Sequence, residues 1–88
     1  MQEFSFVVGD PLGIHARPAG RLVEKAKTFE SDFTVTLNRN GKCASLKRLL
    51  AVMGLGIKGG DQITVLVQGK DEERAAKAME TWMKEHLS

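Results

Sequence analysis

The chain has 88 residues, 42% hydrophobic and 27% charged, with a formal net charge of +2. That length fits one domain spanning residues 1–88 and excludes wholesale disorder, a large barrel or a Rossmann unit with a second domain. The balanced charge argues for no nucleic-acid partner, and the lone cysteine, Cys43, rules out an internal disulfide.

Phe4, Phe6 and Val8 alternate with Glu3, Ser5 and Val7, predicting a first strand over residues 2–8. Gly9, Asp10, Pro11 and Gly13 break it into a loop that runs to about Ile14. Ala16, Ala19, Leu22, Val23 and Ala26 recur at helical spacing, predicting a helix over 16–27 with one buried face. Pro18 falls in its first turn, where the missing N–H costs nothing.

Phe33, Val35 and Leu37 alternate with threonines as a second strand. Asn38–Gly41 is a turn sequence, and Lys42, Cys43 and Ala44 return as a short third strand. Leu46, Leu49, Leu50 and Met53 predict a short helix stopped by Gly54 and Gly56. Ile63, Val65 and Val67 mark a fourth strand after the Gly59-Gly60-Asp61 turn. Asp71 is expected to N-cap a final helix with Ala75, Ala78, Met79, Trp82 and Met83 on its inner face. The predicted order is βαββαβα. In so small an α+β domain, an antiparallel sheet covered by helices on one face is the economical arrangement.

The segment Gly13-Ile14-His15-Ala16-Arg17-Pro18-Ala19 concentrates chemistry at a helix start. First-turn amides such as those of Ala16 and Arg17 have no intrahelical partner, and this end of a helix carries about half a positive charge. It is therefore suited to phosphate. Arg17 adds planar donors matched to phosphate oxygens, and His15 adds a nucleophilic ring nitrogen. The residues themselves leave two alternatives open, phosphoryl chemistry at His15 or an ordinary polar histidine at a helix edge.

That seven-residue segment resembles the active-site signature of HPr, the histidine-containing phosphocarrier of the bacterial phosphoenolpyruvate-dependent sugar phosphotransferase system. Gly41-Lys42, Ser45-Leu46-Lys47 and Leu49–Gly56 resemble the family's third strand and second helix, so nearly the whole chain is covered. The resemblance implies an open-faced β-sandwich, a four-stranded antiparallel sheet under three helices. It implies that His15 accepts a phosphoryl group on Nδ1 from enzyme I and passes it to the A component of a sugar-specific enzyme II, with Arg17 easing the transfer. Such a carrier is a substrate of its partners rather than an enzyme. By themselves Leu49, Leu50, Met53 and Leu55 fit a core face or an exposed docking patch equally, and the family's use of this helix for docking implies the patch. Arg17, Arg21, Lys47, Arg48 and Lys58 are placed to rim it and steer an acidic partner. A cytoplasmic monomer without cofactor, metal or membrane insertion is expected.

The chain departs from the pattern at Arg48, which follows Lys47 where kinase-regulated members carry a serine. No regulatory serine is carried over, and Ser45 is expected to cap the second helix. Leu12 stands where many relatives have a polar residue, and the Asn38–Gly41 turn is longer than the family's usual hairpin. Gly54–Gly59 satisfies G-x-G-x-x-G, and Gly56–Gly59 satisfies the GXXG of an RNA-binding loop. Neither lies between the elements its function requires. A small RNA-binding domain and a regulatory paralogue with the same fold are the competing readings. Trp82 and Met83 are expected in the core, Cys43 is expected to be inert, and His86 is expected to complement a helix C-terminus without a catalytic role.

Overall fold

Strands form where β-branched and aromatic side chains alternate with polar ones, because only that period sends one set inward and the other to water. The computed structural model, which describes residues 1–88, contains β1 (Gln2–Val7), α1 (Ala16–Ala26), β2 (Asp32–Leu37), β3 (Lys42–Ser45), α2 (Leu49–Gly54), β4 (Gln62–Gln68) and α3 (Glu72–His86). The sheet order is β1-β4-β2-β3, antiparallel throughout. Val65 lies opposite both Phe4 and Val35, so the central strands align one apolar face. That face and the three helices enclose a single core cluster of 22 residues. The opposite face carries hydroxyls, with Ser5 and Thr36 flanking Thr64 in register and Thr64 Oγ1 donating to Asn38 Oδ1 at 2.9 Å. This is the expected open-faced sandwich.

Several local expectations differ. Ala16, counted on the buried stripe of α1, is exposed, because the buried face is completed by Ala19, Leu22, Val23 and Ala26. Leu46 precedes α2 and is wholly buried, with its amide donating to Phe33 O at 2.9 Å. Ser45 does not cap α2. It ends β3, and its hydroxyl accepts the Lys47 amide at 3.1 Å. Arg48 occupies the N-cap without a side-chain cap bond, an electrostatically unfavourable choice that nothing in the fold explains. Leu55 belongs to the core, 8% exposed, and so leaves the expected docking patch. In α3, Ala76 rather than Ala78 is buried alongside Ala75, Met79 and Met83, and Trp82 is half-buried but packs against the core as expected.

Asp71 stands at the N-cap of α3 but makes no side-chain cap bond there. Its carboxylate instead accepts the Glu30 amide at 3.0 Å, the Ser31 amide at 2.9 Å and the Ser31 hydroxyl. Ser31 is the buried polar residue of the chain, and this clamp satisfies it while tying the start of β2 to the start of α3. The Ser31 hydroxyl above all, joined by the two amides, lowers the Asp71 carboxyl to about 2 against desolvation.

Candidate functional site

The loop from Val8 to Ile14 has no regular structure, so its position must come from contacts. Three glycines make them possible. Gly13 has φ +69°, and a Cβ there would stand 2.2 Å from the Ile57 carbonyl oxygen. A Cβ on Gly59 would stand 2.6 Å from the Asp10 carbonyl oxygen. A Cβ on Gly9 would stand 2.6 Å from the Ser88 carbonyl carbon. The loop is thus pressed against the 57–60 turn on one side and the end of the chain on the other.

Hydrogen bonds lock both contacts. The Ile14 amide donates to Ile57 O at 3.1 Å, and the Val8 amide donates to Asp61 O at 2.9 Å. The Gly9 and Asp10 amides both donate to Leu87 O, at 2.8 and 3.2 Å. Asp10 Oδ1 accepts the Leu12 amide at 2.9 Å, while the Leu12 side chain is exposed. Asp61 braces the 57–60 turn by accepting the Lys58 amide at 2.8 Å and Arg39 Nε at 3.1 Å. The Lys58 amide, with help from Arg39, holds its carboxyl below the usual range. The glycines of the G-x-G-x-x-G match therefore shape a prop between α2 and β4. They match neither a dinucleotide site nor a helix–helix RNA loop.

So held, the loop delivers His15 as the N-cap of α1, in extended backbone with φ −96° and ψ −174°. Its carbonyl accepts the Ala19 amide at 2.9 Å and starts the helix. Its side chain makes no cap bond and is exposed. An N-cap residue normally turns its side chain back onto the first-turn amides. Here the His15 side chain leaves the first-turn amides without that partner.

A cleft of about 230 Å³ opens beside His15, walled by Asp10, Arg17, Pro18, Arg21, Trp82 and His86. His15 and Arg17, paired by the sequence motif, thus line one space. Sequence reasoning missed Arg21 and His86 as its neighbours. The Arg17–Arg21 spacing on α1 was available to read. Nothing local to α3 signals that its last turn returns to the first loop.

The expected docking residues lie elsewhere. Leu49, Leu50 and Met53 are 39%, 82% and 38% exposed. They lie on α2, with exposed Arg48 at its N-cap, and α2 packs against α1 but contributes nothing to the cleft. Lys47 is no free rim cation, since its ammonium donates to Phe29 O at 3.0 Å. No helix is long and apolar enough to cross a membrane.

Residues 2–85 match the protein family described as "PTS HPr component phosphorylation site". The chain belongs to the HPr phosphocarrier family of the phosphotransferase system. It is 47% identical over 85 residues to the phosphocarrier protein HPr of Lysinibacillus sphaericus, covering 97% of this chain and 94% of that protein. Among solved structures it is similar to the histidine-containing phosphocarrier protein of a Mycoplasma, with TM-score 0.87, 36% identity, and 93% and 91% of the two chains covered. It is also similar to Crh, a Bacillus subtilis catabolite-repression protein that forms a domain-swapped dimer. There the TM-score is 0.75 at 28% identity, covering 100% of this chain and 99% of that one. HPr membership thus rests on sequence and fold together, and the expected open-faced sandwich is the architecture of this chain.

Proposed function

We propose that the 88 residues act as a single HPr carrier whose His15 receives a phosphoryl group from enzyme I and yields it to an enzyme II A component. The observation that carries this reading is the exposed, uncapped imidazole of His15 at the mouth of a cleft it shares with Arg17. Nδ1 of His15 attacks phosphorus with its lone pair. The bond from phosphorus to the donor atom of enzyme I breaks, and its electron pair stays on enzyme I. The reverse logic unloads the group onto the next protein.

The site needs to do little beyond positioning and charge neutralisation, which dominate phosphoryl transfer. The Ala16 and Arg17 amides and the Arg17 guanidinium meet the phosphoryl oxygens. The prop at Ile57–Gly60 keeps His15 in place without relying on its side chain. Because the group must move between proteins, the site is shallow and open rather than enclosed, and chemistry is completed only when a partner covers it.

Leu49, Leu50 and Met53, with Arg48 beside them, form the surface on which both partners sit. Exposed apolar groups on a short helix favour this use over a core role, and a methionine adapts to more than one partner. The working unit is a cytoplasmic monomer without cofactor or metal, in keeping with one site that must be offered to successive proteins. The test is incubation with enzyme I and labelled phosphoenolpyruvate. Label is expected as acid-labile phosphohistidine in the wild type and not in His15→Ala, and label on histidine in His15→Ala would refute the assignment.

A further inference from the structure

We propose that His86 is a second imidazole of the phosphoryl site, whose Nε2 donates a hydrogen bond to phosphoryl oxygens carried by His15. The proposal rests on the reading of His15 as the acceptor. It begins from the cleft, where His15 and Arg17 on the α1 side meet Trp82 and His86 on the α3 side. His86 lies one residue beyond the segment 2–85 that matches the family.

The orientation of the His86 ring is fixed twice. It stacks on Trp82, with centroids 4.4 Å apart and planes at 17°. Its Nδ1 lies 2.9 Å from the Trp82 carbonyl oxygen. A carbonyl oxygen can only accept, so Nδ1 carries a hydrogen and Nε2 is the ring nitrogen left for another partner. The α3 terminus is itself pinned to the His15 loop through Leu87 O and the Gly9 and Asp10 amides. His86 is therefore held by structure that also holds the acceptor loop.

The charge around the cleft decides what Nε2 does. Arg17 and Arg21 face it from α1, with Asp10 from the loop, and Glu24 and Lys25 lie further along the same α1–α3 groove. A phosphoryl group on His15 brings about two negative charges into this cleft. In the loaded carrier both ring nitrogens of His86 donate, Nδ1 to Trp82 O and Nε2 to the phosphoryl oxygens, a charge-assisted bond that has no partner while the cleft is empty.

The full chain labelled with ¹⁵N-histidine tests this, loaded with enzyme I and phosphoenolpyruvate. In the loaded carrier the His86 Nε2 resonance is expected in the N–H range, shifted from its position in the unloaded protein. His86→Asn keeps a donor for Trp82 O and loses Nε2, whereas His86→Gln places a permanent donor near the Nε2 position. The transfer equilibrium is expected to shift about tenfold toward enzyme I in His86→Asn, and to stay within about twofold of wild type in His86→Gln. An unmoved Nε2 resonance on a carrier loaded at His15, or equal behaviour of the two variants, would overturn the role of His86 and leave that of His15 intact. Failure to load His15 at all would instead overturn the reading on which the proposal stands.

Discussion

Gly13 approaches Ile57 so closely that a methyl group on its α-carbon would stand 2.2 Å from the Ile57 carbonyl oxygen. Its φ of +69° also lies in the left-handed region that β-carbons disfavour. Gly13→Ala is therefore expected to lose about 2 kcal/mol or more, because a left-handed penalty adds to a backbone clash. The midpoint of urea unfolding should fall with its slope unchanged. A wild-type midpoint would mean that the loop is not pressed against the 57–60 turn.

Arg17 is exposed and contributes nothing to the core. Arg17→Ala should keep the wild-type unfolding midpoint yet slow phosphoryl transfer by about 10- to 100-fold, the range for removing a hydrogen bond to a charged group. Single-turnover transfer from loaded enzyme I measures it. An unfolded Arg17→Ala would identify a structural arginine instead.

Leu50 is 82% exposed. Leu50→Asp should leave stability within about 0.5 kcal/mol. It should raise the KM of this protein as substrate of enzyme I by about tenfold or more, the loss of one leucine buried at an interface. An unchanged KM would move the docking surface away from α2.

Asp71 anchors a clamp whose strength depends on pH. Its folded carboxyl titrates at about 2 against an ordinary 3.8, chiefly through the Ser31 hydroxyl. The folded value is depressed, so the stabilisation is fully present above about pH 4 and is lost as pH falls through about 2. Acid titration of stability should show this loss, and Asp71→Asn should flatten it in part. Asp61 and Glu72, also lowered, contribute in the same direction.

The strands were legible in the sequence because alternation over Phe4–Val8, Phe33–Leu37 and Ile63–Val67 has one solution on a one-faced sheet. His15 and Arg17 were legible because their chemistry is local to one helix start. Leu55 was not, since α2 has six residues, too few for periodicity to separate an inner from an outer face. Gly56 then turns the chain at φ +66°, and both Leu55 and Ile57 end up buried. Asp71 looked like a cap because its neighbours fit one, but a buried hydroxyl and two amides from a distant loop outcompeted the helix for its carboxylate. That His86 and Trp82 border the cleft was not legible for a related reason. Their place in the cleft depends on a contact between the two ends of the chain that neither end encodes alone.

The most direct measurement is peptide mapping of the protein loaded by enzyme I and phosphoenolpyruvate, analysed at alkaline pH where phosphohistidine survives. One phosphoryl group is expected, on the peptide containing His15, with His86 and every serine unmodified. A phosphoryl group found on His86 or on a serine, with His15 bare, would contradict the account.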